Sequence, residues 1–408
     1  MIPKAEVTAV AEETGLLVTT IEKDYALGWF LFGIAEHPAL QQWVFKGGTC
    51  LKKCFFETYR FSEDLDFTVP DEAPYADTDV RMALEQVGAW VLERTGIDVP
   101  DDGITIEEIT NKRGHKAIQA RVTFAGPLQL ARSQRQRIKF DLTKDEVIVD
   151  NPVHRAVHHV YSDEPHPAPR VRCYELSEII AEKLRALYER EGRARDVFDV
   201  VNIGRNFRAD VMVDRVRAIA ARKFEFKGLP SPTPDEILAR VKPAALATDW
   251  NQALRHQLQM LPPVEEFLSA LRDVLGWMLG TASPAELPAV PGKQHEAAVP
   301  AERFWRRDAR TLTRGIGGQQ GTYHGSSIER LRYAARNRLL AQVTYNGVNR
   351  VVEPYSLRVP KTGNLLVYVY ELQRGGAPGG GIKALKVADL GPVHVTGRSF
   401  QPRYAIEL

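Results

Sequence analysis

The stretch Lys46–Phe67, KGGTCLKKCFFETYRFSEDLDF, contains the residues from which the fold can be inferred. It follows the short apolar run Trp43-Val44-Phe45, which is typical of a buried strand that ends in a tight turn at a glycine pair. Thr49 is a residue type that caps helices, so we expect it to cap a helix that runs to about Phe56. The segment Asp64–Val69 then alternates acidic and apolar residues, which predicts a second strand.

The acidic strand predicts a cation site. Successive side chains of a strand point to opposite faces, so Asp64 and Asp66 share one face while Leu65 and Phe67 point to the core. Two carboxylates about 7 Å apart along a backbone can converge on a divalent cation. Without a cation they would repel, and one of them would have a raised pKa.

A third carboxylate is expected from the segment RIKFDLT (137–143). Its apolar residues alternate with polar ones, and Asp141 lies on the polar face. Three carboxylates on adjacent strands can hold two metal ions, one activating a hydroxyl group and the other bound to nucleotide phosphates. An all-oxygen site of this kind suits Mg²⁺.

The glycine pair predicts a phosphate site. Gly47, Gly48 and Thr49 lie at a turn from strand to helix, where backbone N–H groups and the helix dipole favour an anion such as a nucleoside triphosphate. A DxD pair alone is more often a solvated turn. The ordered set of strand, GGT, helix, DxD strand and later Asp-bearing strand is more specific.

FKGGTCLKKC…RFSEDLDF and the upstream IEKDYAL (21–27) resemble the AbiEii-like abortive-infection toxins, which belong to the nucleotidyltransferase superfamily with the DNA polymerase β-like fold. The resemblance covers roughly residues 15–205. It implies an α+β fold with a mixed sheet, and transfer of a nucleoside monophosphate from an NTP to a hydroxyl group. It also implies Mg²⁺, a cognate antitoxin and a role in phage defence; in several members the acceptor is the tRNA 3′ end, which stops translation.

The family's downstream motif is similar to EKLRALYEREGRARDVFDV (182–200). The pattern alone predicts a solvated pair of helices connected by ion pairs. The resemblance implies that Lys183 contacts the nucleotide as a point charge. It further implies structural or catalytic roles for Lys46, Arg195, Asp196 and Asp199.

The C-terminal segment 325–408 is basic, with twelve Lys and Arg against five Asp and Glu in a chain of formal net charge +2. It is similar to the WYL domain, a small Sm-like β-barrel, although LLVYVYEL replaces the namesake triplet. The resemblance implies a ligand face for nucleic acid or nucleotides with Arg332, Arg350 and Lys386. A plain barrel used for dimerisation or antitoxin docking is the alternative.

Composition bounds the remaining possibilities. A hydrophobic share of 44% and a charged share of 26% in 408 residues indicate a soluble protein of several domains. We predict a catalytic domain (1–170), a helical domain completing the active site (171–280), a linker (281–302) and the WYL-like barrel (303–408). The sequence has neither a membrane span nor the features of a signal peptide, so we expect a cytoplasmic protein.

The three cysteines are sparse and lack CxxC spacing, which predicts neither a disulfide framework nor a zinc site. Cys50 and Cys54 are expected to pack in the core. The basic run ARSQRQRIK (131–139) either steers RNA toward Asp141 or is a solvated strand edge. Two further functions remain open from the sequence: a protein or small-molecule acceptor, and a non-catalytic nucleic-acid-binding regulator.

Overall fold

A computed structural model describes residues 1–56, 60–110, 114–280, 286–291, 297–298, 324–360 and 364–408. Most of the predicted linker lies outside the described residues. The basic segment RFWRRDAR (303–310) lies entirely outside them.

The chain forms two compact units. The first comprises residues Met1–Glu191, Asp210–Thr233 and His256–Leu258, and the second comprises Gly192–Ala209, Pro234–Arg255 and Gln259–Leu408. The chain passes between the units several times. The predicted division at residues 170, 280 and 302 stays a prediction.

Both units contain helices and strands. In chain order the helices are α1 (Lys4–Thr14), α2 (Val18–Glu36), α3 (Gly47–Cys50), α4 (Asp77–Thr95), α5 (Leu176–Glu189), α6 (Ala194–Asn206), α7 (Val213–Phe226), α8 (Pro234–Arg240), α9 (Pro243–Leu254), α10 (Val264–Leu279) and α11 (His324–Arg336). The strands are β1 (Val44–Lys46), β2 (Asp64–Thr68), β3 (Ile104–Thr110), β4 (Lys116–Thr123), β5 (Arg137–Thr143), β6 (Val153–Ala156), β7 (Arg170–Cys173), β8 (Ala297–Ala298), β9 (Leu339–Tyr345), β10 (Val348–Val359), β11 (Leu366–Arg374), β12 (Ala377–Pro378), β13 (Ile382–Lys386) and β14 (Leu390–Ser399).

The first unit is built on a mixed seven-stranded sheet with the strand order β3-β4-β5-β2-β1-β7-β6. Strand β2 runs parallel to β5, and β1 runs parallel to β7, while the other neighbours are antiparallel. The sheet places the predicted DxD strand at its centre. The predicted mixed sheet with helices is thereby confirmed.

The alternation in RIKFDLT produces the strand that the sequence predicts. Ile138, Phe140 and Leu142 are almost fully buried, and the residues between them lie on the other face. Strand β4 carries buried residues at Ile118, Ala120 and Val122. Helix α2 is buried along most of its length and packs in the core of the unit.

The second unit contains its own helical core and a second sheet. Phe198 of α6 stacks on Phe267 of α10, with ring centroids 5.0 Å apart. The sheet has the order β12-β11-β10-β9-β14, with β13 paired to β11 and β8 to β10.

Asn346-Gly347, a dipeptide typical of two-residue hairpins, forms the turn between β9 and β10. Tyr345 pairs with Val348, and both turn residues have positive φ, as a two-residue turn of this hand requires. In the described part of the second unit no strand pairing joins β13 to β14, so the predicted closed Sm-like barrel is not confirmed. Within the described ranges, every helix is too short or too polar to cross a membrane.

We expect Phe140→Ala to lower the free energy of unfolding of the first unit by about 3–5 kcal/mol, since it removes a fully buried ring that contacts Phe30. Urea unfolding, with hydrogen exchange of the β5 amides as a local probe, measures the loss. Ile109→Ala is the control, because Ile109 is 40% exposed on the same sheet. Equal effects of the two substitutions would contradict the assignment of the core.

Candidate active site

The register of the sheet brings the predicted carboxylates together. In the parallel pair of β2 and β5, Asp66 lies directly opposite Asp141. Asp64 is two residues earlier on β2 and therefore shares their face, whereas Leu65 and Phe67 are fully buried on the other face. The three carboxylates thus lie on one face of two adjacent strands.

A row of polar side chains extends from this pair across four strands. Lys46 on β1 lies opposite Asp66, and Gln119 on β4 lies opposite Asp141. Residues paired across a sheet point to the same face, so the acidic pair has a cation on one side and an amide on the other. The sequence of β4 shows a polar residue at Gln119, but it does not show that β4 pairs with β5 and so places Gln119 beside Asp141.

Burial and the neighbouring carboxylates together raise the pKa of Asp66. Burial and then the charge of Asp141 raise the pKa of Asp66 to about 6, and Asp64 adds to the rise. The charges of Lys46 and Lys183 lower it but do not cancel the increase. A divalent cation between the carboxylates would remove this repulsion.

Asp141 is positioned by two polar neighbours. Gln119 donates a hydrogen bond of 2.9 Å from Nε2 to Asp141 Oδ1, and Lys139 Nζ lies 2.7 Å from Asp141 Oδ2. Lys139 also lies opposite Asp64 in the strand register. Its ammonium group therefore contacts the carboxylate where a metal cation would bind. In the sequence Lys139 belongs to the basic run 131–139 and shares the polar face of its strand with Asp141.

Gly47 has no room for a side chain. Its φ is +81°, and a Cβ atom there would lie 2.4 Å from Asp66 Oδ2. At Gly48 a Cβ atom would lie 2.9 Å from Arg60 Nη2 and 3.2 Å from Ser62 Oγ. Glycine at position 47 thus lets the backbone of the predicted phosphate turn approach a predicted metal ligand.

Thr49 does not have the predicted capping role. The helix begins at Gly47, Lys46 is its N-cap residue, and no side chain caps it. The helical segment does continue nearly as far as predicted, through a π-helical turn at Leu51–Phe55. The buried Thr49 hydroxyl instead donates a 2.5 Å hydrogen bond to the backbone carbonyl of Asp64, which ties the helix to the DxD strand.

Lys46 belongs to a buried ion-pair network. Its Nζ lies 3.0 Å from Glu182 Oε1 and 3.9 Å from Glu146 Oε1. Burial opposes its charge, but Glu182, Glu146 and Asp66 together raise the pKa of Lys46. Lys46 is thus held as a cation beside Asp66.

The network continues into helices α5 and α7. Lys223 lies 2.9 Å from Glu178 and 3.7 Å from Glu182, and Arg185 lies 3.2 Å from Glu146. Burial raises the pKa of Glu182, but the charges of Lys46, Lys223 and Arg185 outweigh it and hold the pKa well below its usual range. The acidic and basic positions of α5 are evident in the sequence, but the roles of Glu146 and Lys223 are not, because they depend on tertiary contacts.

The remaining predicted residues lie in both units. Lys183 is half-buried on α5, and its charge acts on Asp66. Asp196 and Asp199 are buried on α6 of the second unit, where Arg195 Nε donates to the carbonyl of Ala253 at 3.4 Å. Structural or catalytic roles of these α6 residues stay a prediction.

Two of the three basic residues predicted for a C-terminal ligand face have acidic partners. Arg332 is 1% exposed and lies 2.6 Å from Glu329, and Arg350 pairs with Glu371. Lys386 is exposed on β13. A ligand-binding role for these residues stays a prediction.

Comparison with known proteins shows to which family this chain belongs. The family model described as "Nucleotidyl transferase AbiEii toxin, Type IV TA system" matches residues 29–274, which is more than half of the chain. This chain therefore belongs to the AbiEii family of nucleotidyltransferase toxins, which are components of type IV toxin–antitoxin systems.

Among solved structures, MenT4, a nucleotidyltransferase toxin from Mycobacterium tuberculosis H37Rv, is similar at 19% sequence identity and a TM-score of 0.46. The similarity covers 78% of this chain and 100% of that one. No curated protein sequence matches this chain significantly.

The raised pKa of Asp66 predicts an unusual pH dependence of the metal-free protein. An aspartate in an unfolded chain has a pKa of about 4, so the contribution of Asp66 to stability is fully present below that pH. It is lost as the pH rises through about 6. We therefore expect Asp66→Asn to raise the melting temperature at pH 8, with the gain disappearing toward pH 4.

Thermal unfolding in the presence of a chelator, from pH 4 to pH 8, measures this difference. Asp79→Asn serves as the control, because Asp79 is exposed on α4 and its replacement should change little at any pH. An Asp66→Asn protein that is less stable than the wild type at pH 8 would contradict the interpretation.

We expect Gly47→Ala to displace the Asp66 carboxylate and so to abolish the stabilisation that Mg²⁺ and NTP would give by binding at the predicted site. Gly114→Ala is a matched control, since Gly114 has a similar φ of +80° but nothing within 4 Å of its Cβ position. The control should show only backbone strain of about 1–2 kcal/mol. The change in melting temperature on adding Mg²⁺·NTP, measured for each variant, separates the steric effect at Asp66 from backbone strain. An equal change in the two variants would refute the steric effect.

Proposed function

We propose that this chain is a Mg²⁺-dependent toxin that transfers a nucleoside monophosphate from an NTP to the 3′ end of tRNA and so blocks translation. The observation that supports this most strongly is the alignment of Asp66 with Asp141, with Asp64 on the same face. In this proposal a cognate antitoxin neutralises the toxin, in keeping with the family, and the toxin acts in phage defence.

The donor set fits magnesium. Asp64, Asp66 and Asp141 offer hard carboxylate oxygens, and burial together with the charges of Asp141 and Asp64 raises the pKa of Asp66, an effect that a bound cation would oppose. These residues would hold two Mg²⁺ ions, which supply activation of the acceptor hydroxyl and neutralisation of phosphate charge. Lys139 would leave Asp141 Oδ2 when the metal binds, and it would then be available for a phosphate group.

Gly47, Gly48 and Thr49 contact the NTP phosphates in this proposal. The absence of a side chain at Gly47 keeps the backbone beside Asp66 accessible. Lys183 neutralises charge that develops on the transferred phosphate, and its influence on the pKa of Asp66 supports its proximity. Lys46 favours the ionised form of Asp66 through electrostatic attraction, which partly offsets the rise of the Asp66 pKa.

A basic surface near Asp141 supports RNA as the acceptor. Arg137 and Lys139 share the face of Asp141 on β5, and Arg121 lies opposite Lys139 on β4. Arg137 is the farthest of the three cations. It lies four residues from Asp141, which is about 13 Å at the rise of about 3.3 Å per residue of a strand. A polyanionic acceptor would use this surface, whereas a small hydroxyl compound would not need it.

The C-terminal segment would add regulation. In this proposal it senses a nucleotide or nucleic-acid ligand as a WYL-like domain, with Lys386 exposed at its surface. Asp196 and Asp199 support the α6 helix of the second unit through their buried positions.

Label transfer tests the proposed reaction. The full chain is incubated with Mg²⁺, each α-labelled NTP and total cell extract, and we expect label in RNA of tRNA size. Asp66→Ala should reduce transfer by at least about 1000-fold, because it removes the central metal ligand. Asp79→Ala should transfer label as the wild type does.

The fate of the label distinguishes the acceptors. RNase sensitivity supports RNA, protease sensitivity supports a protein acceptor, and resistance to both supports a small molecule. Sequencing of tRNA 3′ ends after induced expression then identifies the added nucleotide. Transfer that persists in a folded Asp66→Ala protein would refute the metal site.

A further inference from the structure

The three cysteines of the chain converge at one place in the first unit. Cys50 lies on α3, Cys54 follows one turn later, and Cys173 ends β7. Their Sγ atoms all lie within 4.8 Å of one another, and none of the three residues is more than 1% exposed. Cys50 and Cys54 are buried as predicted, whereas the position of Cys173 beside them could not be predicted from the sequence.

This cluster lies on the opposite face of the sheet from the carboxylates. Phe45 on β1 lies opposite both Phe67 on β2 and Cys173 on β7. Residues paired across strands share a face, so Cys173 points to the side of Phe67 and away from Asp66. The thiol cluster is therefore separate from the proposed nucleotide site, although both are connected through α3.

The spacing of the thiols suits a tetrahedral metal ion. Zinc binds thiolate sulfur at about 2.3 Å, which places two sulfur ligands of a tetrahedron about 3.8 Å apart. Sulfur atoms already within 4.8 Å of one another require shifts of at most about 1 Å to reach that geometry. Buried thiols that serve only as small apolar groups have no need to meet in threes from two separate elements.

Ligand chemistry separates the two sites. Soft thiolates select zinc and similar ions, while hard carboxylates select Mg²⁺. Three thiolates and one Zn²⁺ have a net charge of −1, which a nearby cation can balance. Arg155 is in position to do so, because its Nε donates to the carbonyl of Cys54 at 3.1 Å and its charge acts on Cys54 and Cys173.

We propose that Cys50, Cys54 and Cys173 bind one zinc ion, which fastens the helix that follows the Gly47-Gly48 turn to strand β7. The three thiolates occupy three of the four positions of a tetrahedral zinc ion. Arg155 is a positioning residue that balances the charge of the site. Zinc binding stabilises the folded first unit by mass action and takes no part in nucleotidyl transfer.

Cobalt(II) provides a direct probe of the site. The full chain is purified with reductant and chelator, and a thiol count in denaturant confirms three reduced cysteines. We expect Co²⁺ to produce a thiolate-to-metal charge-transfer band at a stoichiometry of one per chain, and Zn²⁺ to abolish it. Since the chain has only three cysteines, a thiolate band can arise only from this cluster.

Matched variants locate the ligands. Cys54→Ser and Cys173→Ser should lose the band, Arg155→Gln should weaken Zn²⁺ binding by about tenfold, and Asp141→Asn should keep the band unchanged. If a serine variant does not fold, protection of the wild-type thiols from a maleimide by Zn²⁺ replaces it. Absence of both the band and the protection in fully reduced wild-type protein would overturn the proposal, as would a disulfide that forms in place of metal binding.

Discussion

The register between β2 and β5 is the constraint on which the rest of the first unit depends. It places Asp66 against Asp141 in a partly buried position, and the cost appears as the raised pKa of Asp66. An apolar pair would make the sheet more stable, so the acidic pair is a stability cost at a position suited to a cation. Lys46 and Lys139 reduce the cost in the metal-free protein without removing it.

The compensating charges require their own support, because a buried lysine is costly unless it is paired. Lys46 therefore depends on Glu182, and Glu182 depends in turn on Lys223 and Arg185. The two central strands are in this way connected to α5 and α7 by a chain of ion pairs. The helices thus influence the charge state of the carboxylates through this network.

The segment that links these parts is the turn at Gly47 and the short helix after it. One side of this segment contacts Asp66, and Thr49 bonds to the backbone of Asp64. On the other side its cysteines meet Cys173. A single segment therefore contacts groups on both faces of the sheet. A shift of this segment would change the surroundings of Asp66 and of the cysteines together.

The sequence by itself determined the local elements and the chemical character of the site. Alternation in RIKFDLT and in the DxD segment specified which face each residue takes, because the side-chain period of a strand is two. The shared face of Asp64 and Asp66 and the polar face of Asp141 could be predicted on that basis, whereas the turn at Asn346-Gly347 is predicted by the dipeptide itself, which is typical of a two-residue hairpin. Only the tertiary structure decided which strands are neighbours, and therefore that Gln119, Glu146, Lys223 and Cys173 join these groups, since strand order and long-range pairing leave no periodic signal in one sequence.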